Sequence, residues 1–157
     1  MKKSIITIGI PTSGKSTFAA GIIENDPSYV EINRDNIRRE LFNVNGWNDY
    51  ENTPDNEKLV TNREFDLIRA AYNEGKNIII TDTNLRMKYV RGFISLLEHF
   101  GYEVKIKLCN ISFLESIRRN ENRSTPTDID NIRSMHRAYD TIVEKVKEKY
   151  SNDYFID

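Results

Sequence analysis

One short segment constrains this chain more than any other: Gly9-Ile10-Pro11-Thr12-Ser13-Gly14-Lys15-Ser16. It matches the phosphate-binding pattern G-x-x-x-x-G-K-[ST] at every required position. An apolar, β-branched stretch runs into the segment over residues 4–10, and a helical pattern follows it over residues 15–23. A strand, a tight loop and a helix in this order form the context in which the pattern binds phosphate. The segment therefore predicts a nucleotide site within an α/β fold.

The residues of this loop have distinct tasks in phosphate binding. Backbone N–H groups and the positive end of the following helix surround the phosphates, Lys15 neutralises the β- and γ-oxygens, and the Ser16 hydroxyl can bind Mg²⁺. Thr17 continues the helix and is expected to be mainly structural. The sequence contains no Asn-Lys-x-Asp segment of the kind that binds guanine, so ATP is the expected nucleotide. The predicted nucleotide contacts in this segment are Gly9, Pro11, Thr12, Ser13, Gly14, Lys15, Ser16 and Thr17.

Strand and helix patterns alternate along the rest of the chain. Short apolar stretches at residues 29–32, 77–81 and 103–109 predict further strands, and helical periodicity separates them. The run Ile78-Ile79-Ile80 is typical of a parallel strand that is covered on both faces. We predict one α/β domain over residues 1–157 with a mainly parallel sheet and with ligands at the carboxyl ends of its strands. The predicted helix caps are Thr53, Asn84 and Ser112, and a last helix is predicted from Asp128 to about Tyr150.

The composition limits the classes of partner. The 157 residues include 24 acidic and 23 basic side chains, so no positive field of the whole molecule attracts nucleic acid, and any such contact must be local. Cys109 is the only cysteine and is expected to be a buried residue, and His99 and His136 show no zinc-ligand spacing. No apolar run approaches the roughly 20 residues that cross a bilayer. A cytoplasmic protein is expected, and the oligomeric state stays open.

Two carboxylates follow strand patterns close to the predicted phosphate site. Asp35 could accept a proton from an attacking hydroxyl, and Arg38, three residues later, could orient it or bind an acceptor phosphate. Asp35 could equally well complement the helix dipole and pair with Arg38. Asp82 follows a buried strand and could hold a metal-bound water or an arginine, or could instead form an Asx turn or a helix cap.

A pair of arginines and a pair of aromatic residues complete the candidates. A helix that continued through Arg119 and Arg123 would point both side chains the same way, so that a lid at about residues 118–128 could close over ATP phosphates. Solvated arginines beside acidic residues are the alternative. Trp47 and Tyr50 could stack on a base, although covering part of the core is the commoner use of an aromatic residue.

In combination, these segments resemble the kinase domain of the bacteriophage polynucleotide 5'-kinase/3'-phosphatase family. The resemblance rests on the phosphate-binding loop, residues 33–35, residues 81–85 and the stretch from Arg119 to Arg123, and it extends to residues 132–135. It implies a P-loop kinase-like three-layer sandwich with a helical lid. Thr12 stands where the family's loop often has glycine. The Asp-x-Asp-Gly-Thr phosphatase motif does not occur in the sequence, so phosphatase activity is not expected.

The resemblance also implies how the donor would be held. Lys15 and Ser16 would bind ATP phosphates and Mg²⁺, with Asp82 contacting the metal through water. Arg119 and Arg123 would form the lid, with Arg123 closest to the transferring phosphate. The cytoplasm, that of a host cell if the chain is viral, would be the place of action.

The acceptor would be the 5'-hydroxyl end of DNA or RNA. The resemblance makes Asp35 the general base for that hydroxyl and Arg38 the contact for the neighbouring phosphate, with further acceptor contacts from Arg34, Asp82 and Thr83. The implied reaction is ATP-dependent phosphorylation of a polynucleotide end, a step in nucleic-acid repair. A P-loop kinase for a small metabolite or nucleoside is an alternative, and a non-catalytic nucleotide-binding protein is a second one.

Overall fold

The computed structural model describes every residue from Met1 to Asp157, and strands and helices alternate along the chain as predicted. The strands are β1 (Lys3–Ile8), β2 (Tyr29–Ile32), β3 (Asn77–Ile80), β4 (Glu103–Leu108) and β5 (Phe155–Ile156). The helices are α1 (Lys15–Asn25), α2 (Arg34–Phe42), α3 (Pro54–Asn73), α4 (Met87–His99), α5 (Phe113–Glu121) and α6 (Ile129–Lys149). Short 3₁₀ turns lie at Trp47–Asp49 and Asn152–Tyr154.

The strands form one five-stranded sheet in the order β2-β3-β1-β4-β5, and every pairing is parallel. β1 lies at the centre, with Ile5 paired with Ile79 on one side and with Lys105 on the other. The chain fills the sheet on one side of β1 and then on the other, so the strand order reverses beside β1. Such a reversal leaves a crevice at the carboxyl ends of the strands, where ligands bind in open α/β sheets. The predicted parallel sheet is confirmed.

Alternate residues of the central strands face opposite layers, as the two-residue period of a strand requires. On one face, Ile5 and Ile79 pack against Ala19 of α1. The opposite face contributes to the larger core, which includes residues of α2, α3, α4 and α6. Its fully buried strand residues are Ile6, Ile8, Ile78, Ile80 and Ile106. Helices on both faces of the sheet make three layers, and the predicted sandwich is confirmed.

Side-chain caps fix most of the helix starts. Backbone N–H groups donate to the side chains of Asn33, Thr53, Ser112 and Asp128 at the first turns of α2, α3, α5 and α6. The prediction for Asn84 was wrong, because α4 begins only at Met87. Asn84 is buried with a φ of 50°, a conformation that asparagine tolerates, and its amide donates to the Thr7 carbonyl at 2.8 Å. It ties the end of β3 to β1.

The predicted lid, at about residues 118–128, comprises the end of helix α5 and the loop of residues 122–128. The helix ends at Glu121, so the expected continuous helix through Arg119 and Arg123 is not formed, and Arg123 lies on the loop. Asn120 fixes the base of this loop: its buried side-chain amide donates to the Thr127 carbonyl at 2.7 Å and accepts the Thr127 N–H at 2.8 Å. None of the helices combines the length and apolar character that a membrane crossing requires.

Candidate active site

The phosphate-binding loop joins the central strand β1 to α1. Its turn is closed by the Ser13 N–H, which donates to the Ile10 carbonyl at 3.1 Å. Gly14 has a φ of 92°, which glycine adopts without strain. A Cβ atom at Gly9 would overlap Ser13 Oγ and lie 2.9 Å from the Cβ of Cys109. Gly14 is therefore required by the backbone conformation of the loop, and Gly9 by the close approach of Ser13 and Cys109.

The donors of this loop have few acceptors within the protein. Thr12 Oγ1 and Ser13 Oγ are buried without a hydrogen-bond partner. The backbone N–H groups of Lys15, Ser16 and Thr17 lie in the first helical turn, where no earlier carbonyl of the helix can accept them. The partial positive charge of a helix N-terminus also favours an anion. These residues fit the phosphates of a nucleotide.

Lys15 connects the loop to the rest of the site. Its ammonium group donates to the Ile10 carbonyl at 2.8 Å. Burial and, to a smaller extent, the charge of Arg123 lower the pKa of Lys15 to about 8, whereas Cys109 and the carboxylates of Asp35 and Asp82 oppose the shift. Three predicted site residues from separate segments of the chain thus lie close enough to Lys15 to act on its charge.

Magnesium has one direct candidate ligand in the loop. Ser16 is exposed, and its hydroxyl makes no hydrogen bond within the chain. No group of three or more His, Cys, Asp or Glu side chains could hold a metal ion on its own. Mg²⁺ usually keeps several waters and binds through substrate phosphates with one or two protein ligands. The residues present fit a nucleotide-bound ion that Ser16 contacts.

Asp35 and Arg38 form an edge of the predicted acceptor half of the site. Asp35 lies in the first turn of α2, and 61% of its side chain is exposed. Its Oδ1 accepts a hydrogen bond from Nη1 of Arg38 at 2.9 Å. The guanidinium itself is largely buried, with 12% of the side chain exposed. An accessible carboxylate that a fixed guanidinium orients can accept a proton from a ligand.

Glu57 of α3 fixes the position of Arg38. No local pattern in the sequence marks Glu57 as a site residue. Its two carboxylate oxygens accept from Nη2 of Arg38 at 2.8 Å and from Nε at 3.1 Å, and the Tyr50 hydroxyl donates to it at 2.6 Å. Partial burial alone would raise the pKa of Glu57, but the hydrogen bonds from Arg38 and Tyr50 lower it to about 2. One N–H of Nη1 and one of Nη2 remain unused on Arg38.

Arg34 faces α3, which differs from the expected contact with an acceptor strand. Its Nη1 donates to Thr61 at 3.0 Å and to Glu64 at 3.1 Å. Its Nη2 donates to the carbonyl of Glu57 at 3.3 Å and to the carboxylate at 3.1 Å. These contacts use every N–H of the guanidinium except the one at Nε. In this arrangement Arg34 ties α2 to α3, and an acceptor contact would require it to release these partners.

Asp82 lies at the end of β3 and is turned towards α2 and α3. Its Oδ1 accepts the backbone N–H of Arg34 at 2.8 Å, while its Oδ2, like Oε2 of Glu64, is buried without a donor. Burial and the neighbouring Asp82 carboxylate raise the pKa of Glu64, so the pair retains a proton at neutral pH. An open carboxylate for a magnesium-bound water is therefore not what the structure presents here. The Thr83 carbonyl accepts the Gly9 N–H at 3.0 Å and joins this strand end to the phosphate-binding loop.

Of the two lid arginines, Arg119 contacts the phosphate-binding loop directly, and Arg123 acts on it only through its charge. Arg119 donates from Nη1 to the Thr12 carbonyl at 3.0 Å and from Nε to Glu115 at 3.0 Å. Arg123 is exposed, contacts Thr127 at 3.4 Å and acts on the charge of Lys15. Both cations lie on the nucleotide side of the site although no single helix carries them.

Known proteins with similar sequences identify the family of this chain. A family model described as an AAA domain matches residues 5–142. A protein of Autographa californica nuclear polyhedrosis virus, named as a bifunctional polynucleotide kinase/RNA ligase, is 28% identical over 149 residues. That match covers 88% of this chain and 21% of the viral protein, so the chain spans about a fifth of that relative.

Solved structures with this fold include a chain of an RNA repair complex and an APS kinase. A chain of the Pnkp1/Rnl/Hen1 RNA repair complex aligns with a TM-score of 0.79 and 25% identity over 92% of this chain and 46% of its own length. The APS kinase CysC of Mycobacterium tuberculosis, in complex with AMPPNP and APS, aligns with a TM-score of 0.59. It covers 93% of this chain and 98% of its own, but at 12% identity it shares the fold alone.

These comparisons bear out the resemblance to polynucleotide kinases that residues 9–16, 33–35 and 81–85 carry. The AAA domain model covers most of the sheet and both halves of the site. The chain belongs to this AAA domain family and has the fold of a P-loop kinase.

Proposed function

We propose that this protein is an ATP-dependent polynucleotide 5'-hydroxyl kinase. The observation that carries the proposal is that Asp35, which pairs with Arg38, lies near enough to Lys15 of the phosphate-binding loop for its carboxylate to raise the pKa of that lysine. A hydroxyl bound at Asp35 would then face a γ-phosphate bound at Lys15. Phosphoryl transfer depends mainly on this kind of positioning and on charge stabilisation.

The donor half binds the phosphates of ATP. The unpaired N–H groups at the start of α1, the hydroxyls of Thr12 and Ser13, and the Lys15 ammonium supply the donors. Mg²⁺, when bound with the nucleotide at Ser16, offsets negative charge on the phosphates. Arg119 and Arg123 extend from the lid to the same region and stabilise charge on the group in transfer.

In the reaction, Asp35 accepts the proton of the terminal 5'-hydroxyl while that oxygen forms a bond to the γ-phosphorus. The bond between the γ-phosphorus and the β–γ bridging oxygen breaks, and ADP leaves with the electron pair of that bond. Arg38 holds the phosphate next to the acceptor hydroxyl with the N–H groups that Glu57 and Asp35 leave unused. The products are ADP and a 5'-phosphorylated end.

A small-molecule kinase is the second candidate, because the APS kinase of M. tuberculosis has the same fold. The viral polynucleotide kinase/RNA ligase and the RNA repair complex are more similar in sequence to this chain, and they favour a nucleic-acid end. A polynucleotide supplies a phosphate next to the reacting hydroxyl, and a nucleoside does not. Arg38 gains a ligand only in the first case.

The test is transfer of labelled γ-phosphate from ATP with Mg²⁺ to a panel of acceptors. The panel holds 5'-hydroxyl DNA and RNA oligonucleotides of increasing length, the same oligonucleotides already phosphorylated at the 5' end, nucleosides and adenosine 5'-phosphosulfate. We expect transfer to the 5'-hydroxyl oligonucleotides and none to their phosphorylated counterparts. Transfer to a nucleoside or to the phosphosulfate, at a rate that does not increase when the acceptor is lengthened to an oligonucleotide, would contradict the proposal. It would favour the small-molecule kinase.

A further inference from the structure

Trp47 is the most conspicuous side chain near the acceptor half that the proposed function does not use. It lies on the 3₁₀ turn Trp47–Asp49, and 53% of its surface is exposed. The neighbouring Tyr50 differs: it is 8% exposed, packs 5.5 Å from the ring of Phe42 and donates its hydroxyl to Glu57. Core packing thus explains Tyr50, whereas much of the Trp47 indole stays open to a ligand.

The exposed indole lies directly beside the residue that would bind the acceptor phosphate. The guanidinium carbon of Arg38 is 4.9 Å from the centre of the Trp47 ring and 5.3 Å from that of Tyr50. Arginine and tryptophan at this distance attract each other. A phosphate held by Arg38 belongs to a nucleotide whose base is one sugar away. The base of a nucleotide that flanks this phosphate therefore comes within reach of the indole.

The turn that carries Trp47 is supported on the side of the lid. Gly46 lies against Thr125 so closely that a Cβ atom at this glycine would be 3.0 Å from Thr125 Oγ1. Between the turn and the lid there is an open cavity of about 630 Å³, lined by Asn48, Ile117, Asn120, Glu121 and residues 126–129. Of the turn, Asn48 lines this cavity, and the neighbouring Trp47 presents its exposed indole from a turn that the lid supports.

We propose that Trp47 is a base-stacking platform for the nucleotide whose phosphate binds at Arg38. The inference rests on the proposed function and narrows it, because a stacking platform selects acceptors that carry a base next to that phosphate. Every base has a π face, so the platform favours nucleic-acid ends without requiring one sequence. A sugar acceptor, which carries no base, would leave the indole unused.

The chain has a single tryptophan, so its intrinsic fluorescence reports on Trp47 alone. The first experiment titrates the unaltered protein, without ATP, with a 5'-hydroxyl oligonucleotide and with matched oligonucleotides that lack the base at the first or the second position. We expect saturable quenching by the intact oligonucleotide and its loss with one of the two abasic forms. Equal quenching by all three, or none by any of them while they bind, would overturn the platform.

The second experiment measures KM and kcat for the oligonucleotide with Trp47→Ala and Trp47→Phe. Stacking on an aromatic ring is worth about ten-fold or more in affinity, so Trp47→Ala should raise KM by about ten-fold, and Trp47→Phe should recover most of the loss. Tyr89→Ala is the matched control, because Tyr89 is similarly exposed at 47% but lies on α4. The increase in KM that an abasic oligonucleotide shows relative to the intact one should be smaller in Trp47→Ala than in the unaltered protein. An undiminished increase would overturn the platform.

The two proposals fail in different ways. Base-dependent quenching supports the platform whether or not phosphate is transferred. If the unaltered protein phosphorylates 5'-hydroxyl ends but its fluorescence and KM are indifferent to the base, the kinase proposal stands and the platform is wrong. If it binds oligonucleotides with base-dependent quenching but transfers no phosphate to any of them, the platform stands and the kinase proposal is wrong.

Discussion

The donor and acceptor halves of the site are built in different ways. The donor half is one contiguous loop whose binding groups are backbone N–H groups, two hydroxyls and Lys15. The acceptor half is assembled from side chains that are far apart in the chain: Arg38 and Glu57 are separated by 19 positions, and Arg34 and Glu64 by 30. Ion pairs, rather than the backbone, hold its shape.

This difference separates a general function from a specific one. Backbone N–H groups at a helix N-terminus bind the phosphates of many nucleotides, so the donor half specifies little beyond a polyphosphate. The acceptor half depends on which side chains α2, the 3₁₀ turn and α3 contribute, and a few substitutions can change it. We therefore expect substitutions in the two halves to have separable effects on ATP binding and on acceptor binding.

The largest expected effect breaks the donor half. Lys15→Met removes the only ammonium at the phosphates and should lower phosphoryl transfer by at least about 10²-fold, since a single charge-stabilising donor is worth that much. The pKa of Lys15 is about 8, so in the unaltered protein the affinity for ATP should fall as the pH rises above that value and the ammonium loses its proton. A transfer assay with labelled ATP checks the first point, and calorimetric titration of ATP below and above this pH checks the second. An equally steep fall in Lys15→Met would contradict the assignment.

The second effect breaks the acceptor half alone. Glu57→Ala removes the carboxylate that fixes Arg38 and should raise KM for the oligonucleotide by about 10- to 100-fold, the range seen when a residue that orients a binding group is lost. The dissociation constant for ATP should stay unchanged. Stability should fall by about 1–3 kcal/mol, because Arg38 and Arg34 lose a shared and partly buried partner.

Asp130→Ala is the control for Glu57→Ala. Asp130 also pairs with an arginine, at 3.0 Å, but 86% of its side chain is exposed, and surface pairs contribute little. It should leave KM and stability unaltered. If Glu57→Ala has no larger effect on KM than Asp130→Ala, the ion pairs do not shape the acceptor half.

The third effect concerns the acceptor half and is the dependence of stability on pH that Glu64 causes. A glutamic acid with a raised pKa keeps its proton in the folded protein, while the unfolded chain loses it near pH 4.5, so stability contributed by Glu64 falls as the pH rises above that value. Glu64→Gln keeps a hydrogen-bond donor at this position but cannot titrate, so the loss of stability with rising pH should disappear. The free energy of unfolding in urea should be measured at two pH values above 4.5 for both proteins. It should fall with pH more steeply in the unaltered protein than in Glu64→Gln, by up to about 1.4 kcal/mol per pH unit. Parallel slopes would show that Glu64 is not protonated.

The smallest effect concerns the shape of the donor loop. Thr12 has a φ of 78°, a conformation that costs a β-branched residue about 1–2 kcal/mol. Thr12→Gly should relieve this strain and, after the greater freedom of glycine in the unfolded chain is subtracted, change stability by no more than about 1 kcal/mol. Thr12→Val, which keeps the branch and loses the hydroxyl, should be the less stable of the two in thermal unfolding. The reverse order would show that the strain of a β-branched residue here is smaller than the cost of glycine's greater freedom in the unfolded chain.

Most of the donor half could be predicted because its residues are contiguous. A strand, a glycine-rich turn and a helix start are local features, and each is visible in the order of residues 4–23. The capping residues Thr53 and Ser112 are local in the same sense, and their predictions are confirmed. Asn84 was misjudged because its amide bonds across the sheet to Thr7, a contact that no local pattern encodes.

Glu57 and Glu64 were missed because nothing beside them in the chain marks them. One signal was present: Val60, Glu64, Ile68 and Ala71 recur at helical spacing on the buried face of α3, and a glutamate on such a face needs a partner. Its identity could not be inferred, since Arg34 lies 30 positions away. The sequence likewise predicted Arg119 and Arg123 as a pair but not that the helix ends between them.

The most direct test of the division into two halves is phosphoryl transfer by Asp35→Asn, with ATP binding measured on the same sample. Asparagine keeps the size of the side chain and a hydrogen bond from Arg38, but it cannot accept the proton of the 5'-hydroxyl. We predict that the variant binds ATP as tightly as the unaltered protein and transfers labelled γ-phosphate to a 5'-hydroxyl oligonucleotide at least about 10²-fold more slowly. Transfer at the unaltered rate, or a parallel loss of ATP binding, would contradict the account.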